Sequence, residues 1–103
     1  MAKLTVLYTR PADEAAFMKY YNEKHIPIAK KIPGLRSYTI NSGPVNNADG
    51  SASPYILIAN LGFDSLAALQ TALGSPEGAA AAGDLGNFAS AGAALYVYEE
   101  KSV

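Results

Sequence analysis

The chain has 103 residues, half of them hydrophobic and 17% charged, with a formal net charge of -1 and no cysteine. A chain of this size buries only about two-thirds of its unfolded surface, so residues 1–103 are read as one domain with a thin core. The near-neutral charge excludes a polyanion as the expected partner, leaving no case for nucleic acid, and the lack of cysteine removes disulfides, thiolate nucleophiles, iron–sulfur clusters and cysteine-type zinc sites.

The opening MAKLTVLYTR has no basic region leading into a long apolar run. No apolar stretch approaches the ~20 residues of a membrane span, so a cytoplasmic protein without membrane contact is expected.

Lys3 to Thr9 is β-branched and aromatic and is stopped by Pro11, which reads as the first strand. Asp13 can cap a helix with Glu14 in its first turn, and the run that follows sets Phe17, Tyr21 and His25 four residues apart on one stripe, with Ala16, Tyr20 and Lys24 beside it. Pro27 disfavours helical geometry at Ile26, so the helix is expected to break there and to add only a short turn before Pro33-Gly34. Ile28 and Ile32 continue the buried stripe.

Leu35 to Gly43 reads as a second strand, residues 44–53 (PVNNADGSAS) as an exposed loop, and PYILIANLGF as the third strand. Asp64 is expected to begin a helix in which Leu66, Leu69 and Leu73 have helical spacing and which Gly74 ends. Ser75-Pro76-Glu77 starts another, with Leu85 and Phe88 inward and breaks expected at Gly83 and Gly86. Ala93 to Glu99 is the fourth strand.

The order βαββαβ predicts an α+β, ferredoxin-like domain, a four-stranded antiparallel sheet with both helical segments on one face. Alternation puts Tyr55, Leu57, Ala59 and Leu61 on one side of the third strand and Ile56, Ile58 and Asn60 on the other, while Leu95 and Val97 oppose Tyr96 and Tyr98. Apolar residues on both faces call for a cover on the helix-free side, most simply a second copy, so a homodimer packed sheet against sheet is expected.

His25 is the only histidine, and with an ordinary pKa of about 6.5 it is the side chain suited to exchange protons near neutral pH. The helix end supports its protonated form and burial opposes it. The plain alternative is a packed histidine that fixes the helix end before Pro27. Seven tyrosines could build an aromatic pocket with inward hydroxyls, although strands and interfaces favour tyrosine for packing alone. Arg36 and Tyr38 share a strand face and could offer a cation and a donor to an anionic ligand; the plainer role for Arg36 is a surface ion pair.

No carboxylate pair, histidine cluster or phosphate-cradling glycine loop is evident, and Ser75 and Ser90 lack a nucleophile-elbow setting, so neither a metal nor another cofactor is expected.

The run F17-M-K-Y-Y-N-E-K-H25-I-P27, followed by K31-I-P-G-L-R-S-Y38, resembles the EthD family of dimeric α+β barrel proteins, named for ethyl tert-butyl ether degradation. The segments F63-D-S-L-A-A-L, S75-P-E-G78 and D84-L-G-N-F-A89 resemble its second half, so the likeness spans nearly the whole chain. It implies two four-stranded sheets closing a barrel across a two-fold axis, with a cleft between helices and sheet in each subunit. It also places the family's histidine at His25 and its neighbouring aromatic position at Tyr21. Relatives on this fold include cofactor-independent monooxygenases, cyclases, isomerases and haem peroxidases, so the fold alone fixes no reaction.

The leading expectation is a pocket for a small apolar or aromatic molecule. His25 acts there as acid or base in cofactor-independent proton-transfer or oxidoreductase-type catabolic chemistry, and Tyr21, Tyr38, Arg36 and Phe17 bind the substrate. The alternatives are a non-catalytic accessory or ligand-binding dimer and, third, haem ligation through His25.

Overall fold

Strand β1 (Ala2–Thr9) alternates buried and half-buried residues along its whole length, the period-two signature of a strand with one face on a core. The computed structural model describes residues 1–103. After β1 the chain turns through Pro11, and Asp13 accepts a hydrogen bond from the Ala16 N–H at 3.0 Å, capping α1 (Glu14–Tyr20).

The expected break at Ile26 does not occur. Helix α1 runs into a π turn (Tyr21–His25) and on into α2 (Ile26–Ala29), with Ile26 itself helical at φ -55° and ψ -48°. A proline inside a regular α-helix lacks a donor and crowds the carbonyl one turn back. Here the turn ahead of Pro27 is closed by an i→i+5 bond from the Ile26 N–H to the Tyr21 carbonyl, and this wider turn accommodates the ring.

Strand β2 is shorter than the sequence suggests, Ser37–Ile40, and at its C-terminal end the Asn41 side chain takes over from the ladder. Its carbonyl oxygen accepts from the Ile58 N–H at 2.9 Å and its amide donates to the Ile56 carbonyl at 3.3 Å. Strand β3 (Tyr55–Phe63) leads to α3 (Leu66–Leu73), whose cap is Ser65 rather than Asp64, accepting from the Ala68 N–H at 3.1 Å. Ser75 caps α4 (Pro76–Phe88) as its sequence predicts, accepting from the Gly78 N–H at 3.0 Å. Helix α4 continues through Gly83 and Gly86, where breaks were expected. Both glycines face solvent, and their helix penalty of about 1 kcal/mol each is offset by Asp84, Leu85 and Phe88 packing inward. Strand β4 (Ala93–Glu99) completes the sheet.

The sheet has four strands in the order β2-β3-β1-β4, and every neighbouring pair is antiparallel. Register sets Val6 opposite Ala59 on one side and Leu95 on the other, so Leu4, Val6 and Tyr8 share the helix-covered face with Leu57, Ala59 and Leu61. The helix-free face is not uniformly apolar, as alternation had suggested. Lys3, Thr39 and a Thr5–Asn60 hydrogen bond of 2.7 Å sit on it, and the apolar share, Leu7, Ile58, Tyr96 and Tyr98, lies on the same face. No helix is long and apolar enough to cross a membrane.

Candidate functional site

A narrow cavity of about 50 Å³ lies between the helices and the covered face of the sheet. Its wall on α4 is made of the small residues Gly78, Ala81 and Ala82 together with Leu85, and Leu95 lines it from β4. Gly78 is required by the approach of α3: a Cβ there would meet the Ala72 carbonyl and lie 2.9 Å from the Leu73 backbone. Almost all the lining is apolar, and His25 is its one imidazole.

His25 and Asp84 are both buried, and His25 Nδ1 stands 2.9 Å from Asp84 Oδ2. The other carboxylate oxygen, Oδ1, accepts from the Tyr20 hydroxyl at 2.7 Å and from the Asn87 side-chain amide at 2.9 Å. Burial by itself pushes the Asp84 carboxyl up. The donors from Asn87, Tyr20 and His25 outweigh it together and hold the group below the usual carboxylate range. An ionised Asp84 can only accept, so Nδ1 carries the proton and donates; in the neutral imidazole this puts the lone pair on Nε2 of a residue that lines the cavity.

The tyrosines supply the second half of the site. Tyr21 and Tyr38 hydroxyls share a 2.6 Å hydrogen bond, and both residues line the cavity with Tyr8. Burial is the main reason that Tyr8, Tyr21 and Tyr38 are pushed above the ordinary phenol value of 10.0. Tyr20 is raised chiefly by its hydrogen bond to Asp84. All four remain neutral at physiological pH; the Tyr20 hydroxyl is committed to Asp84, while Tyr8, Tyr21 and Tyr38 line the cavity, where a phenol O–H can stabilise negative charge that develops on a ligand.

Of the residues singled out from sequence, His25, Tyr21 and Tyr38 meet at this cavity. Phe17 lies behind them, stacked on Tyr21 with ring centroids 6.2 Å apart, and supports the wall without lining it. Arg36 is not brought to the cavity: it precedes β2, and its exposed guanidinium pairs with Asp64 at 3.0 Å. Asp84 was missed as a functional residue. Its signal is the one acid beyond the first turn of an Ala/Gly-rich helix, one turn before Phe88 on the face already read as inward. Tyr20, placed only beside the buried stripe, and Asn87 join it through the same carboxylate.

A family model described as the EthD domain matches residues 9–92. The chain is 37% identical over 103 residues to an uncharacterized 11.0 kDa protein from the thcB-thcC intergenic region of Rhodococcus erythropolis, covering 100% of this chain and 98% of that relative. A solved structure of an ethyl tert-butyl ether degradation (EthD) family protein from Bacillus halodurans C-125 is 33% identical with a TM-score of 0.89, covering 98% of this chain and 99% of its own. Two more distant structures share the fold. A dimeric ferredoxin-like protein of unknown function from Jannaschia sp. CCS1 is 20% identical with a TM-score of 0.70, covering 96% of this chain and 98% of its own. SnoaB, a cofactor-independent oxygenase from Streptomyces nogalater, is 14% identical with a TM-score of 0.67, covering 99% and 94%. Matched over most of its length by the EthD domain and nearly end to end by an EthD structure, this chain belongs to the EthD family.

Proposed function

We propose that this protein binds a small apolar or aromatic molecule in the cavity between helices and sheet, and that His25 Nε2 removes a proton from it without help from a cofactor. The observation that carries the reading is the 2.9 Å bond between His25 Nδ1 and the ionised Asp84 in an otherwise apolar cavity. The carboxylate fixes the imidazole as an Nδ1–H tautomer and supports the positive charge that forms when Nε2 takes a proton. The electron pair left behind moves toward an oxygen of the ligand, where the Tyr21–Tyr38 hydroxyl pair donates.

The partner in this reading is a second copy of the chain. Leu95, Tyr96, Val97 and Tyr98 are 45%, 59%, 47% and 44% exposed, a continuous apolar stretch on an edge strand that a homodimer contact removes from water. A dimeric ferredoxin-like neighbour supports this assembly for the fold. Light scattering at micromolar concentration is expected to give twice the chain mass, and a monomer contradicts the assembly.

A planar carbon acid tests the chemistry. In 5-nitrobenzisoxazole, loss of the C3 proton to a base breaks the N–O bond and yields a coloured cyanophenolate, with no redox partner. The wild-type protein is expected to accelerate this reaction, and His25→Ala to lose on the order of 10² or more of that rate. Binding of the probe with no turnover overturns the catalytic reading in favour of a ligand carrier.

A further inference from the structure

We propose that Tyr20 and Asn87 are positioning residues for this proton transfer, and that the π turn is the feature that lets Tyr20 and His25 serve one carboxylate. The inference rests on the proton-abstraction reading above. On a regular α-helix, residues five apart point about 140° away from each other and cannot reach the same group. Here the Tyr20 hydroxyl meets Asp84 Oδ1 at 2.7 Å, and His25 Nδ1 meets Oδ2 at 2.9 Å, although both side chains leave one continuous helical segment. The turn between them is closed by the i→i+5 bond from Ile26 to Tyr21, and this wider turn brings residues five apart toward the same side of the segment.

The two oxygens of Asp84 then have separate tasks. Oδ2 is left to His25, and Oδ1 is held by Tyr20 and Asn87. Asn87 lies on α4 with Asp84, so it moves with the carboxylate. Tyr20 is the one Oδ1 donor that comes from the other helical segment. Its own ring is fixed against Phe88, with centroids 5.3 Å apart and planes at 23°. Rotation of the carboxylate would break this cross-helix bond, so Tyr20 keeps Oδ2 aimed at the imidazole and Nε2 aimed at the cavity.

Tyr20→Phe retains the stacked ring and deletes only the hydroxyl. Tyr20 does not line the cavity, so turnover of 5-nitrobenzisoxazole is expected to fall 10–100-fold in kcat with KM unchanged. The Nδ1 proton of His25, the only imidazole in the chain, is expected to exchange with water at least about 10-fold faster by NMR, since the bond that protects it is no longer held in place. Asn87→Ala is expected to move both readouts in the same direction by less. Wild-type exchange and wild-type kcat in Tyr20→Phe overturn the inference. Asp84→Asn, measured in parallel, separates the two readings. If it abolishes turnover while Tyr20→Phe does not change kcat or exchange, the positioning role falls and the dyad stands. If it leaves turnover intact, proton abstraction by the dyad falls, and Nδ1 exchange alone decides whether Tyr20 holds the carboxylate.

Discussion

The ring of Phe88 lies 4.8 Å from the imidazole of His25, so the helix that supplies Asp84 also supplies, one turn later, the surface against which the base is packed. Phe88 touches Tyr8, Phe17, Tyr20 and Tyr21 as well, at centroid distances of 5.3 to 5.8 Å. It is the common neighbour of an aromatic cluster in a domain with a thin core. Phe88→Ala is expected to cost about 3–5 kcal/mol, read as a lower denaturation midpoint.

The small side chains on α4 define the space a ligand can use. Ala81 is buried and lines the cavity. Ala81→Leu places a larger side chain into existing space, so its expected stability change is within about 1–3 kcal/mol, while binding of 5-nitrobenzisoxazole is lost. Equilibrium dialysis with the probe, alongside thermal unfolding, separates blockage from misfolding. Undiminished binding would show that the ligand sits elsewhere.

Strands β1 and β4 and the caps at Asp13 and Ser75 were legible because each depends on a local pattern: β-branched and aromatic residues in the strands, and a short polar side chain before an apolar or acidic turn in the helices. The continuity through Pro27 was not, since it depends on a wider turn that no single residue type announces. The breaks expected at Gly83 and Gly86 failed for a related reason: burial of their neighbours Asp84, Leu85 and Phe88 overrides local propensity. His25, Tyr21 and Tyr38 could be picked out by residue type and spacing. The partnership of His25 with Asp84 could not, because it joins residues 59 positions apart whose approach is set by the packing of two helical segments.

The acid limb of stability carries the signature of Asp84. Its carboxyl is held below the ordinary value of 3.8 in the folded chain, so folding favours the ionised form. The contribution is fully present above the unfolded value and is lost as pH falls through the lower folded one. Thermal unfolding between about pH 2 and 6 is expected to show this loss in the wild type and a flatter acid limb in Asp84→Asn. Parallel limbs would mean that the carboxylate gains nothing from its three donors.

At the alkaline end the sign reverses. Burial raises Tyr21 above 10.0, so folding favours the neutral phenol. Its contribution is intact below the unfolded value and declines as pH rises beyond it, because the unfolded chain ionises first. Tyr21→Phe, having no phenol to ionise, is expected to lose stability less steeply above about pH 10. Absorbance of tyrosinate during the same titration is expected to lag in the folded protein and to rise on unfolding.

The central claim is that Asp84 holds His25 with its proton on Nδ1 and its lone pair on Nε2. Long-range ¹H–¹⁵N NMR of the single imidazole, recorded above its titration, reads this directly. The account predicts one dominant Nδ1–H tautomer in the wild type and its loss in Asp84→Asn. A dominant Nε2–H tautomer in the wild type would contradict it, since the nitrogen facing the cavity would then be a donor with no lone pair to take a proton.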